Sequence, residues 1–274
     1  LCHPNVVRIY DEMETDSVYC LVLEHADGGD LYDWTTHLHR EDADAAPLPE
    51  LVVRDIFGQL ACAIGYLHQQ GITHRDVKLE NILLSRVPVS TARPSGLRVI
   101  LADFGLAVAQ TPPDMQQPLA AGSDEYAAPE VVLSAASATT DVWALGIVLY
   151  ALLFGRLPFL RKINQTRRSF LYRVARGDVS FPADATVSVP AADLARALLR
   201  RRPGERIAVA DIWTMPWLHG WSPVTADLTT PMPSTACAPS HSSAMGMTST
   251  GDADAMASRR SHRHASAATT GMAH

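Results

Sequence analysis

Three short stretches of the sequence gather side chains able to do chemistry. His74-Arg75-Asp76-Val77-Lys78-Leu79-Glu80-Asn81 sets two carboxylates, an amine and an amide close together, Asp103-Phe104-Gly105 adds a further carboxylate, and Ala128-Pro129-Glu130 follows. By type these side chains are proton acceptors, a fixed cation and hard oxygen donors. Isolated Asp and Asn in loops usually cap turns, but three such motifs in one order call for a common task. Other chemistries lack their residues. Cys2, Cys20, Cys62 and Cys237 are scattered, with no C-x-x-C pair for zinc or redox work. Acidic residues outnumber basic ones, 29 to 23, for a net charge of −6. Nucleic acid, which needs the opposite surplus, is therefore not an expected partner.

The elements that must position these residues can be read from periodicity. With 274 residues, 47% of them hydrophobic, the chain is globular and long enough for a sizeable core. Val6–Tyr10 and Ser17–Glu24 read as a hairpin around an acidic turn, and Gly28-Gly29 then breaks the chain. Helical periodicity covers Asp30–Leu38 and Glu50–Gln70, and returns after Pro129 in Asp141–Phe154, Leu171–Arg176, Ala191–Leu199 and Val209–Met215. Between the two groups lie short strands and loops, with a Ser/Pro/Arg-rich insertion from Ser85 to Gly96. Strands first and helices after make an α+β arrangement.

Val142–Phe154, the most apolar run, is shorter than the ~20 residues of a membrane span, so it reads as a buried helix and no membrane partner is expected. Residues 222–274 are rich in Ser, Thr, Ala, Pro, Met and His and poor in large aliphatics, the composition of a disordered tail. Its His241, His262, His264 and His274 read as solvated rather than metal-ligating. Free thiols and the lack of a signal-peptide pattern imply a reducing compartment, the cytoplasm or alternatively the nucleus.

The three motifs, in that order and spacing, resemble those of the eukaryotic protein kinases of serine/threonine type. The resemblance implies a kinase-like fold: a partial small β lobe, made of hairpin and hinge, and a complete, mainly helical large lobe. It implies Mg-ATP as cofactor, with Asp76 accepting the substrate hydroxyl proton, Lys78 beside the γ-phosphate, and Asn81 and Asp103 holding Mg²⁺. Leu23-Glu24-His25-Ala26 resembles the hinge, where the adenine edge would bond to the carbonyl of Glu24 and the N–H of Ala26 while Leu83 closes on the ring. His74 and Phe104 would pack with Ile9 into the apolar column joining the lobes, Asp141 would anchor the catalytic loop, and Arg206 would pair with Glu130.

Lys78 and Gly122-Ser123-Asp124-Glu125-Tyr126 are similar to the serine/threonine pattern, with Ser123 positioning substrate beside Asp76. Asp30, just after the hinge, and Glu80 match positions that receive an arginine preceding the phosphoacceptor, which implies protein substrates with Ser or Thr near Arg. Thr111 is the only hydroxyl between Gly105 and Gly122, with Pro118 near the usual phosphorylation site, so no dependence on loop phosphorylation is expected. Arg259-Arg260-Ser261 in the tail would suit self-phosphorylation.

The resemblance starts at Cys2-His3-Pro4-Asn5-Val6-Val7 and runs to about Trp217, giving a small-lobe remnant and hinge (1–26), a large lobe (27–221) and the tail (222–274). The family's glycine-rich loop and strand lysine are not matched: no G-x-G-x-x-G occurs, and Lys78 and Lys162 are the only lysines. The expectation is a fragment of a longer kinase. The alternative is a catalytically inactive kinase-like scaffold or binding module.

Overall fold

The computed structural model describes residues 1–41, 48–87, 93–109, 123–133, 137–176, 179–182 and 187–223. An antiparallel hairpin of β1 (Ile9–Glu14) and β2 (Tyr19–Leu23) leads into α1 (Leu31–Glu41) and α2 (Glu50–Gln69). The strand expected at Val6–Tyr10 lies further on. The acidic stretch expected as a turn supplies Asp11–Glu14, four of the six residues of β1, because these pair with β2 and the reversal is left to Thr15–Val18, where the Thr15 amide donates to the Val18 carbonyl. Val6 instead makes a parallel bridge with Leu101.

Beyond α2 come two short antiparallel pairings. β3 (Ile72–Thr73) pairs with β6 (Val108–Ala109), and β4 (Ile82–Arg86) pairs with β5 (Leu97–Leu101), a single 3₁₀ turn at Leu79–Asn81 leading into β4. The helical part consists of α3 (Ala138–Phe154), α4 (Arg167–Arg176) and α5 (Val189–Leu198). α3 starts ahead of Asp141 because the Ser137 hydroxyl caps it, accepting from the Thr139 amide. α4 starts ahead of Leu171 for a similar reason: the Thr166 hydroxyl accepts from the Ser169 amide. The helix expected at Val209–Met215 is only a 3₁₀ turn, Ile212–Thr214, followed by another at Pro216–Leu218. Pro216 ends the run before a third turn of helix can form.

The core is built around α2 and α3. α3 is buried on nearly every side, from Thr140 to Leu153, as befits a helix apolar all round. Its length does not make it a membrane span, and no described helix is long and apolar enough to be one. α2 packs its Ile56, Leu60, Ile64 and Leu67 face inward. Polar groups then fasten the strands to it. Gln59 donates to the Leu97 carbonyl and accepts from the Val99 amide, and Asn5 bridges Gln59 and the Val99 carbonyl at 3.1 and 2.7 Å. Each buried amide thereby finds partners, which keeps these polar side chains from destabilising the interior.

Two further features fix the frame. Glu130 and Arg206, both nearly inaccessible, form a two-pronged ion pair at 2.6 and 3.0 Å, and Arg206 spends its remaining donors on the carbonyls of Thr139, Arg200 and Arg201. At the chain's start His3 stacks on Tyr66, with ring centroids 5.0 Å apart, and its Nδ1 accepts from the Asn5 amide.

Glu130→Ala should lower the free energy of unfolding by about 3–5 kcal/mol, because it strands a buried guanidinium; urea denaturation measures this. His3 gives a pH signature. Burial, with the nearby Arg98 charge, lowers its pKa from 6.5 to about 4. The unfolded chain then binds a proton that the folded one refuses, so stability falls as pH drops from 6.5 toward 4. Discounted for the ring's partial exposure, the effect is about 1–2 kcal/mol. Stability curves of wild type and His3→Asn should converge over that window.

Candidate active site

The site is assembled by one buried carboxylate. Asp141, on the first turn of α3, accepts from the backbone amides of His74 and Arg75 at 2.8 Å each, one on each carboxylate oxygen, and His68 Nε2 lies 2.9 Å from the oxygen that His74 uses. This lets Arg75 hold φ at +67°, a left-handed conformation costly for a side chain of that size. Its guanidinium Nε also donates to the Leu106 carbonyl at 2.6 Å. The other non-glycine residue with positive φ among those described is Asp103, at +61°, where Asp is better tolerated. Both strained positions belong to the motifs that carry the chemistry.

His74 is fully buried and neutral in its bonding. Its Nε2–H donates to the Ala102 carbonyl at 3.0 Å while Nδ1 accepts from the Asp76 amide at 3.3 Å. Burial lowers its pKa, against the pull of Asp141. It meets Phe104 edge-on, with ring centroids 4.8 Å apart. The apolar column expected to include Ile9 is not formed by it: Ile9 is 53% exposed in β1.

The turn after His74 presents Asp76. One of its oxygens accepts from the Ser123 amide and hydroxyl, both at 3.2 Å; the other accepts from Lys78 Nζ at 2.7 Å and Asn81 Nδ2 at 3.0 Å. Burial works against the charged form, but the Lys78 ammonium and these hydrogen bonds win, and the Asp76 carboxyl is held below its usual range. Lys78 also donates to Ser123 Oγ at 3.1 Å. Asp76, Lys78, Asn81 and Ser123 are thus a single constellation. Asn81 is tied further by a bond to the Asp76 carbonyl at 2.8 Å.

Asp103 joins from the other strand. The Asn81 carbonyl accepts from the Ala102 amide at 2.9 Å, continuing the β4–β5 ladder and placing Asp103 next to that pairing. One Asp103 oxygen accepts from the Gly105 amide at 3.2 Å. The bonds of Asn81 use its amide nitrogen, so among the described residues its side-chain oxygen and the second oxygen of Asp103 remain as donors for a cation. No group of three or more His, Cys, Asp or Glu suited to a metal occurs among the described residues. Two oxygen side chains are nevertheless the set that suits Mg²⁺ when phosphate oxygens and water complete its shell.

The hinge residues follow β2. Among the described residues neither the Glu24 carbonyl nor the Ala26 amide has a partner, as an adenine edge would require. The Glu24 amide donates to the Arg8 carbonyl. Gly28 and Gly29 then bond to both sides of Leu84, and a side chain on Gly28 would meet the Leu84 carbonyl oxygen at 2.7 Å. That close approach sets Asp30 opposite half-buried Leu83 in an isolated bridge, so the chain just after the hinge is fixed beside β4.

Two expected substrate carboxylates differ in state. Glu80 is exposed on the 3₁₀ turn and, after burial, is the largest influence raising the Tyr126 phenol. Asp30 is no freely solvated carboxylate: it caps α1, accepting from the Asp33 amide at 2.7 Å.

Several functional contacts escape sequence reading. The Glu24 side chain grips Arg98 of β5, which also holds the Pro4 carbonyl, and so bolts the hinge to the body. His68 beside Asp141 is another. Neither pair has a local spacing signal, whereas the Asp30–Asp33 cap could have been read from an acid just ahead of a helix. Thr111, Pro118, Gly122 and the tail residues Arg259, Arg260 and Ser261 lie outside the described residues, as do His241, His262, His264 and His274.

A strained loop carrying a hydrogen-bonded aspartate, set between a β hairpin with its hinge and a helical body, is the architecture of a phosphotransferase catalytic domain. The protein kinase domain family matches residues 1–218, and the chain belongs to that family. Its fold is accordingly the kinase fold, with a partial small lobe and a helical large lobe. Among curated relatives, the probable serine/threonine-protein kinase KCC4 of Saccharomyces cerevisiae is 38% identical over 226 residues, covering 82% of this chain and 20% of that protein. The serine/threonine-protein kinase GIN4 of the same yeast is 37% identical over 221 residues, covering 80% and 18%. CBL-interacting protein kinase 25 of Oryza sativa subsp. japonica is 37% identical over 233 residues, covering 82% and 42%. The chain spans about a fifth of the length of the first two.

Asp141→Ala should leave the His74 and Arg75 amides unpartnered in the interior. The expected loss is about 3 kcal/mol, with amide hydrogen exchange across residues 72–79 accelerating more than that of α2.

Proposed function

We propose that this domain transfers the γ-phosphate of ATP to serine or threonine hydroxyls of proteins. The observation that carries the reading is the Asp76 constellation, a carboxylate held ionised and bonded to a lysine, an asparagine and a serine. Relatives named as serine/threonine protein kinases support it.

Bound Mg-ATP would supply an electrophilic phosphoryl group with its charge partly neutralised. This chain's residues would do the rest. Asn81 and Asp103 would hold the metal through their remaining oxygens, and the Glu24 carbonyl and Ala26 amide would take the adenine edge, with Leu83 against the ring. The incoming hydroxyl would take the place of Ser123 Oγ on Asp76, which orients it and receives its proton. Lys78, already on Asp76 and Ser123, would offset the negative charge that builds between acceptor and phosphate. Reaction through a loose transition state asks mainly for this positioning and charge balance.

We infer further that Glu80, and Asp30 with the oxygen not spent on the cap, favour an arginine preceding the phosphoacceptor. We place the protein in the cytoplasm or nucleus.

The test uses the full protein in which this chain occurs, with Mg-ATP and Ser/Thr peptides. Asp76→Asn should cut turnover by about 10²–10⁴-fold without altering the free energy of unfolding by more than about 1 kcal/mol. An unchanged rate would overturn the reading, and lack of transfer by the native protein would leave a binding module. The acid limb of the wild-type rate should lie below the ordinary carboxylate range, because the Asp76 pKa is lowered. An Arg placed ahead of the acceptor should raise kcat/KM about tenfold, and Glu80→Gln should erase most of that gain.

A further inference from the structure

A cleft of about 460 Å³ lies in the helical body, away from Asp76 and its partners. Its wall is apolar, made of Val179, Phe181 and Leu199; its rim carries Arg196, Arg200, Arg201 and Arg202, against one acid, Glu205. The four guanidinium groups stand on exposed residues of a chain whose net charge is −6. Two are partly committed. Arg202 pairs with Glu205 at 2.9 Å and Arg196 with Asp193 at 2.8 Å, but these exposed pairs hold their charges only weakly. Arg196 also lies over the Phe181 ring, 4.8 Å from its centroid, so a cation and an aromatic face are offered together. Among the described residues Arg200 and Arg201 have no carboxylate partner.

The rim is also rigid. The carbonyls of Arg200 and Arg201 both accept from Arg206, whose own charge is neutralised by buried Glu130. The backbone bearing the exposed arginines is therefore pinned to the core before any ligand arrives, which reduces the ordering cost of binding. Nothing in phosphoryl transfer at Asp76 uses this cleft.

We propose that it is a docking site for an acidic segment of a partner protein, in which an apolar side chain enters between Phe181 and Leu199 and flanking carboxylates pair with Arg200 and Arg201. Charge complementarity selects the occupant: a basic rim on an acidic protein favours an anion, and the apolar wall favours a peptide over a bare one. Pairing of guanidinium with carboxylate also supplies directional hydrogen bonds.

The probe is a short fluorescein-labelled peptide with one Phe between runs of Glu, titrated into the full protein and followed by anisotropy. Saturable binding is expected. It should weaken at least about fivefold between low and physiological salt, drop at least about tenfold when Glu is replaced by Gln, and drop similarly in Arg200→Glu/Arg201→Glu. Arg167→Glu/Arg168→Glu, which moves the same charge elsewhere, should bind as wild type, and an unchanged thermal midpoint shows that each variant is folded. Binding that ignores the Arg200/Arg201 change, falls equally in the Arg167/Arg168 control, or is matched by a single-stranded oligonucleotide would overturn the proposal. So would failure to bind at all.

Discussion

The carboxylate of Asp141 is the constraint on which the site depends. A loop that must turn to bring Asp76 among its partners cannot draw on regular secondary structure, so its backbone amides need a partner from elsewhere. Asp141 supplies it twice over, to His74 and Arg75, from the first turn of a helix that is almost wholly apolar beyond that turn. A charge in that setting is tolerable only because its acceptor capacity is used. The arrangement has a kinetic meaning as well. Arg75 in a left-handed conformation stores strain that would relax if the anchor let go, so helix and loop must be in place together.

Around that anchor, rigidity is built from side chain to backbone bonds rather than from sheet. The strands are short and separate: β3 and β6 pair over two residues each, β4 and β5 over five. Such pieces do not hold their own register. Gln59 and Asn5 tie β5 to α2, Arg98 ties β5 to the hinge through Glu24, and Arg206 ties the segment before α3 to the turn after α5. Each is a polar group fully used in the interior. Removing one partner costs more than the bond itself contributes, because the other is left unpaired.

Much of this was legible in the sequence, for reasons that differ by element. α2 and α3 show because their apolar residues exceed what any loop can hide, and the three motifs show because their residue types are tied to a task. Asp141, Glu130 and Arg206 were placed only through resemblance to a family; nothing in their spacing joins residues as distant as 130 and 206. The edges were less legible. β1 runs through Asp11, Glu12 and Glu14 because both faces of the hairpin are exposed, so hydrophobic alternation has nothing to report. The turns after Val209 mimic a helix in pattern but stop at Pro216. Asp30 was read through the resemblance as a substrate carboxylate, whereas the structure also has it capping α1 and facing Leu83.

Asp76 shows how local charge and the proposed catalysis can be reconciled. A carboxylate with four donors around it is a weak base, which looks ill suited to taking a proton from a hydroxyl. In a loose phosphoryl-transfer transition state, however, the hydroxyl needs little proton removal before bond formation. What it needs is direction, and a low pKa guarantees that Asp76 is an acceptor at any physiological pH. Ser123 already occupies the place of a hydroxyl on that carboxylate, with Lys78 touching both. Ser123 thus holds Asp76 in the geometry proposed for a substrate hydroxyl, and exchanging one hydroxyl for another would leave the charge around Asp76 unchanged. Preorganisation of this kind lets the Asp141 anchor, on the first turn of α3, bear on the chemistry proposed at Asp76 without touching it.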